Sequence, residues 1–377
     1  MKVLNLFSDW KWTGPAEPVL SMCKALEHEG VETIVAYRKT PLDFPERTVQ
    51  KEAHKRGLKC YEGFRLNRYF SIKDWWSDLS SLGAYVKKEK IDIVHTNLSH
   101  DYLTAIAALS FGAHPPIIVR TDHKRDGMPK NVFMSWALSR TDGIVTYSDK
   151  IRRQDVANFR FPEERTRVIP PGVDLYSGPI KDIRRGFGLS TGDKVIGVIG
   201  RLKPDRGFDI ILKAFSIIHE RVSNVKLLIM GRSSQMENSV MKPLRELGLE
   251  KDVIIAGYHI DDYFSVINLF DIFVMMRAGS DGTGRALREV MAAGKPVIVS
   301  DVGMLSDFID EGKTGYVTRW DEIDLAQKME LMLTDDAKRQ TFGENARKKA
   351  AEHWNYASQA RQMKAFYEHL LRLGKRR

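Results

Sequence analysis

The chain has 377 residues, 43% hydrophobic and 29% charged, enough for two packed domains, and its 14 Pro and 28 Gly exclude a collagen-like, mucin-like or disordered polymer. Cys23 and Cys60 are the only cysteines, too few for a disulfide scaffold or a multi-cysteine metal site, which fits a reducing cytoplasm. The 59 Lys and Arg exceed the 49 Asp and Glu by ten, but residues 1–180 carry 27 basic and 22 acidic groups and the remainder 32 and 27, so each half has an excess of five. With charge so evenly spread and no basic-aromatic motif, nucleic acid is not expected as a partner.

From the N-terminus, the apolar run after Met1 is broken by Asp9, too early for a secretory leader, and the run Leu103 to Ala113 is far short of the ~20 residues that span a bilayer. Short β-branched runs predict strands at Val3–Phe7, Val31–Tyr37, Ile91–Thr96, Ile117–Thr121, Ile144–Tyr147 and Val168–Ile169, separated by segments of helical length. Pro170-Pro171-Gly172-Val173-Asp174 interrupts them, and a polar stretch follows to Asp193. A second set runs Val195–Ile199, Leu227–Met230, Val253–Ile255, Ile272–Met276, Val297–Val299 and Tyr316–Val317, before a helical remainder. Alternating strands and helices give an α/β fold of two doubly wound parallel-sheet, Rossmann-like domains facing across a cleft. The boundaries read as 1–174 for an N-terminal domain, 175–193 for a linker, 194–355 for a C-terminal domain and 356–377 for a last helix.

In such sheets ligands bind beyond the carboxyl ends of the strands, so chemistry is sought there. Several loops fail. Gly312-Lys313-Thr314 has Asp307 where a P-loop needs glycine, and Gly282-Thr283-Gly284 has Leu287 in place of the third glycine of a dinucleotide turn. No Asp-x-Asp pair and no H-E-x-x-H pattern occurs, so no metal site is expected.

Two strand ends do carry chemistry. After Ile272–Met276, the loop Arg277-Ala278-Gly279-Ser280-Asp281-Gly282-Thr283-Gly284 enters a helix starting at Arg285, whose first N–H groups, on Gly284, Arg285 and Ala286, suit a phosphate. Asp281 and Glu289, eight residues apart, put one carboxylate at the loop mouth and one beside the helix, where they suit sugar or ribose hydroxyls. After Val195–Ile199 comes Gly200-Arg201-Leu202-Lys203-Pro204-Asp205-Arg206-Gly207, where Arg201 and Arg206 are permanent cations fit for a diphosphate.

These residues resemble the retaining GT-B glycosyltransferases of family 4 (glycosyl transferases group 1), with their G-R-L-x-x-x-K-G loop and E-x7-E segment. The resemblance extends to Val168-Ile169-Pro170-Pro171-Gly172-Val173-Asp174 and to Ala292-Ala293-Gly294-Lys295-Pro296-Val297. It implies a cytoplasmic enzyme, with no cofactor, that moves a sugar with retention from a nucleoside-diphosphate sugar, UDP favoured over GDP, to a glycan or lipid-linked acceptor such as a cell-envelope glycan. Glu289 is then the ribose ligand, Arg201 and Arg206 neutralise the leaving diphosphate, Asp281 holds the transferred sugar and the loop of Gly14 approaches the phosphates. Gly231, Tyr258, Gly282, Thr283, Gly284, Arg285 and Ala286 complete the donor site. The last helix is implied to cross back to the first domain.

His123 matches the family histidine that faces the transferred sugar, with a hydrogen-bonded structural role as the alternative. Tyr258 either stacks on the base or packs on the helix 261–269. Asp281 stands for the usual Glu, Arg206 for the usual Lys, Thr283 for a common aromatic, and Pro15 offers no N–H. Trp10, Trp12, Trp75 and Trp76 read mainly as core or hinge packing rather than sugar platforms. Other readings stay open: an epimerase or phosphorylase on this fold, or a non-catalytic binder of anionic surfaces. The six basic residues of 361–377, against Glu368, are a solvated helix end or a peripheral contact with an anionic membrane.

Overall fold

The short apolar runs pair as two parallel sheets in a computed structural model of the chain, which describes residues 1–41, 47–69, 71–110, 115–279 and 284–376. The chain divides into two compact units, Met1–Gly172 with Tyr356–Arg377, and Val173–Asn355.

The first unit contains β1 (Lys2–Phe7), α1 (Ala16–His28), β2 (Glu32–Tyr37), α2 (Val49–Lys55), β3 (Cys60–Tyr61), α3 (Ile72–Glu89), β4 (Ile93–Thr96), α4 (Ser99–Leu109), β5 (Ile117–Asp122), α5 (Val132–Leu138), β6 (Gly143–Thr146), α6 (Asp149–Phe159) and β7 (Thr166–Val168). Its strands lie in the order β3-β2-β1-β4-β5-β6-β7. The edge strand β3 was not expected from the sequence. It pairs only Cys60 and Tyr61 with Val35 and Ala36, too short a run to show a period.

Successive residues of a strand point to opposite faces, so each face needs its own cover. Leu4, Leu6, Val94, Ile118 and Ile144 pack under α3, α4 and α5. Val3, Ile93, Ile117, Val119 and Val145 face the other way, and α1 alone does not cover them. The rest of the cover is α13 (Tyr356–Leu373), through Ala360, Met363, Phe366, Tyr367 and Leu370. Gly143 makes room for that helix, because a Cβ there would lie 2.4 Å from Leu370 Cδ1. The chain end is fastened as well: Lys375 Nζ lies 3.0 Å from Asp142 Oδ2, and the Arg376 N–H donates to Asp142 Oδ1 at 2.7 Å.

The second unit contains β8 (Lys194–Ile199), α7 (Phe208–Arg221), β9 (Val225–Met230), α8 (Lys242–Glu246), β10 (Val253–Gly257), α9 (Tyr263–Asn268), β11 (Ile272–Met275), α10 (Arg285–Ala292), β12 (Val297–Ser300), β13 (Gly315–Thr318), α11 (Glu322–Leu333) and α12 (Asp336–His353). Its strand order is β10-β9-β8-β11-β12-β13. One face packs on α7 and α11 through Phe208, Phe215, Ile218, Leu325, Met329 and Leu333. Residues 175–193 are tied to this unit, where Tyr176 stacks on Phe264 at 4.2 Å and the Lys181 N–H donates to Ser265 Oγ at 3.0 Å.

If α13 completes the first unit's core, Phe366→Ala should lower that unit's stability by about 3–5 kcal/mol, read as an earlier urea midpoint by tryptophan fluorescence. An unchanged midpoint would remove α13 from the core.

Candidate donor site at the strand-order reversal

Each sheet reverses its strand order once, at β1/β4 in the first unit and at β8/β11 in the second. At such a point two loops leave neighbouring strands in opposite directions and open a crevice at the carboxyl edge.

In the second unit the crevice lies between the loop after β8 and the loop after β11. Arg206 joins them, its guanidinium donating to the carbonyl of Ala278, while its Nε lies 3.6 Å from Asp205 Oδ1. Gly207 starts α7 with φ +75°, and a Cβ there would sit 2.7 Å from Met276 Cβ, so only glycine lets the two loops approach. Arg201, at the head of the same loop, is exposed, with no ion-pair partner among the described residues. Gly231 follows β9 so closely against β8 that a Cβ would fall 1.8 Å from the Gly200 carbonyl oxygen.

Gly284, at φ +53°, is the N-cap of α10, and Arg285 and Ala286 open that helix. Glu289 is buried one turn further on. Its Oε1 accepts from Arg285 Nε at 2.7 Å and its Oε2 from the Tyr263 hydroxyl at 2.7 Å. Burial and the Glu289 charge beside it push the Tyr263 hydroxyl well above its ordinary pKa, so it stays a donor. Two donors thus hold the Glu289 carboxylate in place, with Arg285 half exposed to solvent. Tyr258 is 60% exposed, with the Arg232 guanidinium 4.6 Å from its ring centroid. Asp281, Gly282 and Thr283 lie outside the described residues. Tyr263 was missed in the sequence, because no spacing rule links position 263 to 289.

In the first unit Asp101 does the corresponding joining. Its buried carboxylate accepts from the N–H groups of Ser8 at 2.9 Å, Asn97 at 3.0 Å and Leu98 at 2.9 Å, clamping the loops after β1 and β4. Burial pushes its pKa up to about 6 against those hydrogen bonds. The β1 loop leads past Asp9, whose Oδ1 accepts from the Trp10 N–H at 2.8 Å, to Gly14 and then α1.

His123, just past β5, is buried. Asn97 Nδ2 donates to the Leu6 carbonyl at 3.0 Å, which turns Asn97 Oδ1 toward His123 Nε2 at 3.3 Å. That nitrogen therefore carries the proton, and Nδ1 accepts from the Tyr147 hydroxyl at 2.8 Å. Burial and the nearby Arg120 charge hold the ring neutral. His95 is likewise bonded on both nitrogens, to Tyr367 at 2.5 Å and Thr121 at 2.6 Å, and burial lowers its pKa to about 3. A cavity of about 20 Å³ beside Asn5, His95, Asn97 and Thr121 is water-sized, too small for a sugar.

Residues 13–176 match Glycosyltransferase Family 4, and residues 179–349 match Glycosyl transferases group 1. The chain belongs to the GT-B glycosyltransferases. Among relatives of this glycosyltransferase is spore coat protein SA of Bacillus subtilis, 25% identical over 315 residues, 76% of this chain and 81% of that protein. Another is the UDP-Gal:alpha-D-GlcNAc-diphosphoundecaprenol alpha-1,3-galactosyltransferase of Escherichia coli, 25% identical over 317 residues, 78% of this chain and 80% of that one. Among solved structures, Anabaena HepE in complex with UDP superposes with a TM-score of 0.78 at 19% identity, covering 98% of this chain and 100% of that one.

The neutral His95 makes stability pH-dependent. Below pH 6.5 the unfolded ring takes up a proton that the folded ring refuses until about pH 3, so stability falls with acidification across that window. Relative to His95→Gln, the wild type should lose on the order of 1 kcal/mol per pH unit between about pH 6 and 4, measured by urea unfolding at each pH. Parallel pH curves would refute the assignment.

Proposed function

We propose that this glycosyltransferase transfers a sugar, with retention and without a metal, from a UDP-sugar bound by the second unit to a hydroxyl of a glycan or glycolipid. The observation that carries the reading is the Glu289 carboxylate, buried and oriented by Tyr263 and Arg285 beside two loops that Arg206 joins. An oriented carboxylate accepts from vicinal ribose hydroxyls, and Arg201, Arg206 and the start of α10 supply positive charge for a diphosphate. The relative that uses UDP-Gal and the UDP complex of HepE support the choice of base.

In the proposed step the bond from the anomeric carbon to the diphosphate oxygen breaks as the acceptor oxygen bonds to that carbon on the same face. The acceptor proton passes to a phosphate oxygen of the leaving group. The chain's contribution is to stabilise the negative charge growing on the diphosphate, which preorganised cations do without reorganising during the reaction. Asp281 holds hydroxyls of the transferred sugar, Gly14 lies in the loop that approaches the phosphates, and His123 is proposed to face the sugar.

Calorimetric titration of UDP, GDP, ADP, CDP and NAD in chelator tests the donor site. UDP should bind, Glu289→Ala should weaken it at least about tenfold, and Tyr263→Phe by about fivefold, the size of one hydrogen bond to a charged group. Arg206→Ala should cut turnover by about a hundredfold or more in a folded protein. Absence of nucleoside diphosphate binding, or equal binding by wild type and Glu289→Ala, would overturn the reading.

A further inference from the structure

The loop that follows His123 is held by two buried carboxylates that the proposed step leaves unused. Asp122, the last residue of β5, is 2% exposed, and its Oδ1 accepts from the Lys124 N–H at 3.4 Å. Asp155, on α6, is 1% exposed, and its Oδ1 accepts from the Met128 N–H at 3.0 Å. Gly127 lies directly against that oxygen, with φ +76° and a Cβ position only 2.9 Å from Asp155 Oδ1. The neighbouring Gln154 Nε2 donates to the Asp126 carbonyl at 2.9 Å, so two consecutive residues of α6 grip residues 126–128.

Each carboxylate has one oxygen left over. Asp122 Oδ2 and Asp155 Oδ2 are both buried without a hydrogen-bond partner, and neither residue has an ion-pair partner among the described residues. The charged groups around them do not fill the gap. Arg120, on the same face of β5 as Asp122, has its guanidinium 5.1 Å from the Tyr102 ring of α4, with Nε and Nη1 unpartnered. Lys124 is the nearer cation of the loop, where Arg125 pairs with Asp126 at 3.1 Å and Lys130 is exposed. From α4, Asp101 also feels Arg120 but is met by three N–H groups. Helix α5 carries no charge, and on α6 Arg152 and Arg153 are paired with Asp149.

Two neighbouring buried negative charges with unmatched oxygens are costly, and a single proton removes most of that cost. A proton on Asp155 Oδ2, donated to Asp122 Oδ2, satisfies both oxygens at once. The one charge left on the pair then stands opposite the one on Arg120.

We propose that Asp122 and Asp155 share one proton and thereby latch the loop after His123, and that loss of this proton loosens the loop together with the ring it adjoins. On opening, the O–H bond of Asp155 breaks, the proton passes to water, and the two carboxylates repel each other. Burial, and after it the Asp122 charge, push the Asp155 carboxyl up to about 7 against the Met128 N–H and the charges of Arg120 and Lys124. The latch is thus closed below neutrality and open above it. The His123 ring does not itself titrate there, because burial holds it neutral. For its functional meaning the inference rests on the transferase reading, which it deepens by making the hold on His123 proton-dependent.

The test is an NMR titration between about pH 5 and 9 of protein carrying 13C in its aspartate carboxyls and 15N in its histidine rings. One aspartate carboxyl should titrate near neutrality, be missing from Asp155→Asn, and move to lower pH in Asp122→Asn. The Asp101 carboxyl, at about 6, serves as the reference present in all three proteins. The His123 nitrogens should shift with the Asp155 step in the wild type and not in Asp155→Asn. The amide of that variant accepts from Met128 and donates to Asp122, so it keeps the latch closed at every pH. Hydrogen exchange of residues 124–128 should be at least about threefold faster in the wild type than in Asp155→Asn at about pH 9, and equal at about pH 5.

Absence of a titrating carboxyl that Asp155→Asn removes overturns the latch. So does a carboxyl that titrates while the His123 nitrogens stay still, or a His123 response near neutrality that Asp155→Asn keeps unchanged. Should circular dichroism show Asp155→Asn unfolded, the wild-type and Asp122→Asn titrations decide in the same terms. UDP affinity should be equal in wild type and Asp155→Asn. Its absence from both would count against the donor site and leave the titration result standing.

Discussion

Where a parallel sheet reverses its strand order, two loops diverge from adjacent strands and leave main-chain groups without ladder partners. The candidate site depends on how those loops are held. In the first unit one buried carboxylate, Asp101, gathers N–H groups from both loops, and its pKa is raised because desolvation outweighs those hydrogen bonds. In the second unit the same task falls to a cation, as Arg206 reaches from one loop to a carbonyl of the other. The sign of the holding group matters. Asp101 is fully buried and its carboxylate is consumed by the backbone, whereas Arg206 is partly exposed and its positive charge remains available to an anionic ligand.

The Glu289 arrangement follows the same logic. A lone carboxylate buried beside a helix would be costly, and here Tyr263 and Arg285 offset that cost by donating to its two oxygens. Because Arg285 is half exposed, it is the partner that a hydroxyl-bearing ligand would displace more readily, while Tyr263, half-buried with its hydroxyl desolvated, is the more fixed support.

Much of this was legible in the sequence, and the limits have physical causes. Strand runs such as Ile272–Met276 and Val297–Val299 were found because strands covered on both faces read as unbroken apolar stretches. The two-residue β3 left no such trace, and β7 lies at Thr166–Val168, two residues before the expected start at Val168, because its residues alternate in burial at the sheet edge. Arg206 and Glu289 were singled out because they follow strand ends at motif spacing. Tyr263, Asn97 and Tyr147 were not, since their roles come from tertiary contacts across 24 or 26 residues. Core or hinge packing was read for most of Trp10, Trp12, Trp75 and Trp76, and only the fold shows that Trp76 is on the exposed side of α3.

The dependence of the first sheet on α13 also bears on the order of events during synthesis. The second unit has all its residues once Asn355 has emerged, but the first unit is interrupted by it and lacks Phe366, Tyr367 and Leu370 until α13 has emerged as well. The usual sequence, in which the amino-terminal domain completes first, is therefore inverted. Until then, the strands Val3, Ile93 and Val119 belong to lack the cover of α13, and a nascent chain stalled after residue 355 would expose that apolar face even though most of its length could be native.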